Sequence, residues 1–175
     1  MKMILSLCKN SRGIGFHNQL PWIPSIFSEN TQYFNNLTIG RGNNAVILGR
    51  KTWKNHPHYK NRTPLILSAN YRNTFIIDRP QQIQQPHIFN NISSLNAHLK
   101  QEYYQDIWII GGESIYKQWI QNPQLKNIFI TEVNMDLLCN KTAPRIPSNF
   151  ILTFKSNWKN DGNIPYRHLK YSNLG

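Results

Sequence analysis

Short apolar runs rich in Ile, Val and Leu recur along the chain, each closed by polar or turn residues. No other feature constrains the fold as much. They fall at residues 3–8, 45–48, 64–67, 75–77, 107–110 and 128–133. Runs that stay apolar without alternating suit strands buried on both faces. Helical spacing lies between them. Residues 28–37 set Tyr33, Phe34 and Leu37 three and four apart, with Ser28 as the expected N-cap. Thr52-Trp53 opens a short helix, residues 94–101 follow Ser93 as a cap, and residues 113–120 carry Ile115, Trp119 and Ile120. Strands alternating with helices predict an α/β sheet that is mainly parallel. Two more runs, 150–154 and 166–171, have no helix between them. Asn160-Asp161-Gly162 is a turn signal there, so an antiparallel hairpin should close the sheet.

At 175 residues the chain has the size of one domain, expected to span 1–175. No apolar run approaches the roughly 18 residues of a membrane helix, and the apolar stretch after Lys2 is too short for a signal-peptide core. A cytoplasmic protein without membrane attachment is the expectation. Cys8 and Cys139 lie far apart beside hydrophobic residues and read as two buried thiols rather than a disulfide. No metal is expected: His56-Pro57-His58 is isolated, with no cysteine nearby. The balance of 20 Lys+Arg against 8 Asp+Glu gives a net charge of +12. Such a charge attracts polyanions non-specifically. The cations are scattered rather than clustered, which argues against a dedicated nucleic-acid partner.

Ligands of open α/β sheets bind beyond the carboxyl ends of the strands. Three segments sit there. In Leu48-Gly49-Arg50-Lys51-Thr52-Trp53 a buried strand meets a helix that opens with two cations and a hydroxyl. That suits a phosphate, or else it is a glycine turn with solvated cations. In Ile107-Trp108-Ile109-Ile110-Gly111-Gly112-Glu113-Ser114-Ile115-Tyr116 a strand runs through two glycines into a helix. The glycines allow a ligand close to the backbone, or they make only a tight turn. In Arg12-Gly13-Ile14-Gly15-Phe16-His17-Asn18-Gln19-Leu20-Pro21-Trp22 an unusually apolar loop follows the first strand. It is either a lid over a ligand or a loop packed on the core.

In this order the segments resemble dihydrofolate reductase over about residues 3–170. Gly13-Ile14-Gly15 with Asn18 and Leu20-Pro21-Trp22 is similar to that family's active-site loop, and residues 46–53 to its first cofactor segment. Leu65-Ile66-Leu67-Ser68 is similar to its second cofactor segment, Ile109-Ile110-Gly111-Gly112 with Tyr116 to its third, and Phe129-Ile130-Thr131-Glu132 to the strand with its pocket threonine. The resemblance implies an eight-stranded, mostly parallel sheet with four helices and a monomer. It implies NADPH-dependent reduction of 7,8-dihydrofolate. It places Leu7, Ile14, Gly15, Asn18, Gly49, Arg50, Lys51, Thr52, Leu67, Ser68, Ala69, Gly111, Gly112, Glu113, Ser114 and Ile115 at the cofactor, with Gly111-Gly112 as a cis peptide. Leu5 and Ile110 offer carbonyls to the pterin, Phe34 packs on the benzoyl ring and Arg62 takes the glutamate α-carboxylate. Leu20, Trp22, Tyr116 and Thr131 surround the reacting rings.

The family's pocket acid lies four residues before the helix phenylalanine. Counting back from Phe34 gives Asn30, which brings no charge. Glu29 is adjacent. Either a shifted helix start carries Glu29 into the pocket, or it is a solvated first-turn acid favoured by the helix dipole. Leu7, Thr31, Ala69, Ser114, Asn140 and Lys141 also depart from the family pattern. The expectation is a slow reductase, or a homologue that binds NADPH or a pterin without turnover.

Overall fold

A computed structural model describes residues 1–22, 27–56, 59–69 and 86–175. The expected run at 75–77 lies outside the described residues. The elements, in chain order, are β1 (Lys2–Cys8), β2 (Gly13–Gly15), α1 (Ser28–Ile39), β3 (Asn44–Gly49), α2 (Arg50–Asn55), β4 (Arg62–Leu67) and β5 (His87–Phe89). Then follow α3 (Ile92–Gln101), β6 (Ile107–Gly111), α4 (Glu113–Trp119), β7 (Asn127–Val133), β8 (Lys141–Thr142), β9 (Phe150–Lys155), β10 (Lys159–Asp161) and β11 (Ile164–Asn173). Among the described residues the main sheet has nine strands, in the order β10-β11-β7-β1-β6-β3-β4-β5, with β9 also on β11. The strands β7 to β5 of that order pair in parallel, and β11 joins β7, β9 and β10 antiparallel.

The continuous apolar runs become β1, β3, β4, β6 and β7 because helices cover both faces of the sheet. On one face Ile4, Val46, Leu48, Trp108 and Ile110 pack under Tyr33, Phe34 and Leu37 of α1 and Trp53 of α2. On the other, Met3, Leu5, Leu7, Ile47 and Ile109 meet Leu95 of α3 and Ile115 and Trp119 of α4. Each such side chain contributes about 1.5–3 kcal/mol on burial. A closing antiparallel hairpin forms, but with a different arm: Asn160 and Asp161, expected in the turn, lie in β10, Asp161 opposes Ile164 across the two-residue turn 162–163, and Gly162 takes φ +57°.

Two caps differ from expectation. Helix α1 begins at Ser28, but Ser28 caps nothing and Phe27 stands at the N-cap. One free donor of the first turn is met from across the molecule: Asp161 Oδ2 accepts the Glu29 peptide N–H at 2.8 Å. In α3 the cap is Asn91, not Ser93; its side chain accepts from the Ser94 N–H at 2.9 Å. An Asn reaches back to the N3 donor as well as Ser does, and Ser93 is already inside the helix. The far end of α1 is closed by Asn44, whose Nδ2 donates to the carbonyls of Thr38 and Ile39 at 2.9 and 3.1 Å. Strands β2, β5, β8 and β10 are two or three residues long and were not expected from the sequence.

Candidate active site

The three glycine-bearing segments converge at the carboxyl ends of β1, β3 and β6. The β3–α2 and β6–α4 junctions pack side by side. A Cβ placed on Gly49 would come within 3.3 Å of Ile115 Cγ1, and one on Gly112 within 3.5 Å of Thr52 Oγ1. The Gly111–Gly112 peptide is cis. Gly111 has φ +104°, and a Cβ there would meet the Tyr116 ring at 2.7 Å. Only glycine fits that combination of backbone and neighbour. Tyr116 is buried, and its hydroxyl donates to the Ile4 carbonyl at 2.9 Å; burial pushes its pKa up. Leu5 and Leu7 turn their side chains to the α4 face, Ile110 to the α1 face. Arg50, Lys51 and Thr52 form the first turn of α2. Leu67 and Ser68 are buried at the end of β4, and Ala69 is exposed beyond them.

The loop after β1 is tied down at several points. Ile14 and Gly15 belong to β2, which pairs with β8: Gly13 opposes Thr142 and Gly15 opposes Lys141. The Asn140 N–H donates to the Gly15 carbonyl at 3.0 Å. Cys139 presses on Gly13 so closely that no Cβ would fit. Both cysteines are free, Cys8 buried and Cys139 half-buried. Glu113, at the head of α4, accepts from the Thr142 N–H at 3.3 Å and pairs with Lys117 and Lys141. Burial pushes the Glu113 carboxyl up, but these donors outweigh it and hold it below its ordinary value. Glu113 thus fastens the β2–β8 arm to the β6–α4 junction. The Asn18 carbonyl accepts from Asn55 Nδ2 at 2.5 Å, joining the loop to α2. Leu20 is partly exposed. Trp22 is buried against Phe27, and its indole N–H has no partner among the described residues.

Arg62 is 4% exposed although charged. Its Nη1 donates to Thr38 Oγ1 at 2.7 Å and Asn35 Oδ1 at 3.0 Å, and its Nε to the Lys60 carbonyl at 3.1 Å. The guanidinium stands 5.7 Å from the Phe34 ring and 5.4 Å from Tyr59. No carboxylate among the described residues pairs with it, and burial lowers its pKa. A buried cation held only by neutral groups suits an anionic ligand group. A concavity of about 570 Å³, lined by Arg41, Asn43, Asn61 and Arg62 among others, opens at the amino ends of β3 and β4, at the other end of these strands from the glycine junctions.

At the acid position the two neighbours diverge. Asn30 faces the sheet, and its Oδ1 accepts from Ser6 Oγ at 3.1 Å. Glu29 turns to β11, where its carboxylate accepts from the Tyr166 hydroxyl. Thr31 folds back on its own helix, donating to the Phe27 carbonyl at 3.3 Å. The helix start has not shifted to bring Glu29 in place of Asn30. Thr131 is buried, and its hydroxyl meets His168 Nδ1 at 3.3 Å. Ser6, His168 and Asp161 are parts of this site that the sequence reading passed over. Ser6 had a visible signal, a lone hydroxyl inside an otherwise apolar run. His168 had only its place on a strand of unknown register.

Fold and site together define an α/β protein whose glycine-bearing junctions meet at the carboxyl ends of its parallel strands. The sequence profile of the family described as Dihydrofolate reductase matches residues 1–173. A dihydrofolate reductase of Aedes albopictus is 29% identical over 175 residues, covering 93% of this chain and 86% of its own length. One from Buchnera aphidicola is 29% identical over 171 residues, covering 96% and 94%. One from Drosophila melanogaster is 29% identical over 157 residues, covering 85% and 81%. The chain belongs to the dihydrofolate reductase family. Membership implies a nicotinamide cofactor. The cations and hydroxyl of α2, set against the bare backbone of Gly112, fit a phosphate-bearing one. Among the described residues no cluster could hold a metal and no helix is long and apolar enough to cross a membrane.

Proposed function

We propose that the protein reduces 7,8-dihydrofolate to 5,6,7,8-tetrahydrofolate with NADPH, and that it does so slowly at neutral pH. The observation that carries the reading is the junction of Thr52, Gly111, Gly112 and Tyr116, with Tyr116 and Asn30 both bonded to β1, at Ile4 and Ser6, in a chain that matches the family along its length. When bound, NADPH supplies the hydride. Lys51, Thr52 and the turn at 112–114 would hold its pyrophosphate. Arg50 and Ser68 would meet the 2′-phosphate, where a guanidinium favours NADPH over NADH. Phe34 would pack on the benzoyl ring and Arg62 take the α-carboxylate, while Leu20 and Trp22 keep water from the reacting rings.

Asn30 governs the rate. A carboxylate there would accept two hydrogen bonds from the pterin and favour its protonated form. Asn30 accepts one and contributes no charge. The proton must then come from solution, so turnover should rise towards acid. The test is NADPH oxidation with dihydrofolate between about pH 5 and about pH 8. A rate that climbs steadily as pH falls supports the reading. A plateau would identify a titrating group in the protein as the proton source. NADPH binding without any oxidation supports the second reading, a homologue that binds but does not turn over; the same Asn30 favours it.

A further inference from the structure

Beneath the first turns of α1 one row of the sheet face is polar. Ser6 of β1 stands in register with Thr131 of β7, and Thr131 with His168 of β11. Registered side chains share a face, so three polar groups stand side by side across three strands. Helix α1 closes the row at both ends. Asn30 bonds Ser6 at one end, and Tyr33 stacks on the imidazole at the other, with ring centroids 3.7 Å apart and 20° between planes. Thr131 is 1% exposed and His168 8%. Polar rows buried this deeply are costly unless their members are satisfied and used.

Burial pushes His168 down to about 4. Lys159 of β10 acts in the same direction, and Glu29 of α1 opposes it. The remaining groups around the ring are Tyr33 on α1 and Tyr166 on its own strand, neither charged at neutral pH. A neutral imidazole has one nitrogen that accepts and one that donates. If Nδ1 accepts, the Thr131 hydroxyl must spend its proton on His168, and its lone pairs are left for donors in the pocket.

We propose that His168 is the positioning residue of the pterin pocket: it takes the Thr131 hydroxyl proton as a hydrogen bond and so fixes Thr131 as an acceptor for the ligand's ring N–H and amino donors. This rests on the folate reading above. It gives the pocket a second acceptor where Asn30 offers only one. The polarity of Thr131 is then set from β11, not from α1.

Two variants separate this role from packing. His168→Phe keeps a ring against Tyr33 and removes the acceptor. His168→Asn keeps an acceptor near Nδ1 and removes the titration. Binding of dihydrofolate and of NADPH is read by fluorescence quenching, KM and kcat are followed against pH, and the tautomer of His168 is read by nitrogen NMR on the ligand-free protein. In His168→Phe we expect dihydrofolate binding about 10-fold weaker, the worth of one pocket hydrogen bond, with NADPH binding unchanged. His168→Asn should restore binding to within about 3-fold of the native chain and lose the change in KM that sets in near pH 4. A proton on Nδ1 at neutral pH overturns the proposal. So does native dihydrofolate binding in His168→Phe, or equal loss in both variants. If the unaltered chain binds NADPH but no dihydrofolate, the folate reading itself fails, whatever the tautomer.

Discussion

Replacing Asn30 by Asp tests the site where its chemistry departs most from the family. Asn30 is half-buried, and its Oδ1 lies 3.1 Å from Ser6 Oγ, so an Asp of equal size fits without moving α1. A carboxylate about 4 Å from a cationic pterin gains about 4 kcal/mol at an effective dielectric near 20. Desolvating the new charge takes part of this back. A net gain of about 2.7 kcal/mol remains, or about 100-fold in rate, the usual size of one aimed electrostatic contact. Asn30→Asp should therefore raise kcat/KM for dihydrofolate about 100-fold at neutral pH and tighten diaminopyrimidine inhibitors, which bind as cations. It should also destabilise the chain, because Glu29 and Asp161 already stand at the same helix end. Burial raises the new carboxyl's folded pKa above its unfolded value. The penalty is then complete at neutral pH and vanishes as pH falls through the unfolded value near about 4. The assay is initial rate against pH with inhibitor titration, beside thermal melts. Unchanged kcat/KM together with unchanged inhibitor affinity would refute the placement of Asn30 against the pterin.

Four further outcomes follow from the geometry. Arg62→Ala should raise KM for dihydrofolate at least about 10-fold with little change in kcat, and Arg62→Lys should not restore it, since an ammonium cannot reproduce the planar fork. Gly111→Ala forces a Cβ into the Tyr116 ring at φ +104°, so soluble yield or NADPH quenching should collapse. Asp161→Ala removes the acceptor that caps α1, and equilibrium unfolding should show a loss of about 1 kcal/mol. His168 has its folded pKa depressed to about 4. The unfolded chain then binds the extra proton first, so stability is full above about pH 6.5 and falls as pH drops towards 4; urea unfolding of His168→Phe should lose that slope.

The sequence alone determined the sheet and its ledge. The runs that became β1, β3, β4, β6 and β7 were legible because a strand buried on both faces must be apolar throughout, a purely local requirement. The glycines at 49, 111 and 112 and the cations at 50 and 51 were legible for a similar reason: close backbone approach and phosphate charge each demand particular residue types. The strands β2 and β8, three and two residues long, left no trace, since so short a segment carries no period. Only the tertiary structure decided the rest. Asp161 caps a helix that begins 133 residues earlier in the chain. Ser6, Thr131 and His168 form one row only because β1, β7 and β11 lie side by side in one register. Whether Asn30 or Glu29 faces the pocket depended on the rotation of α1 over the sheet. Such pairings join residues far apart in sequence, and nothing in either local stretch encodes its partner.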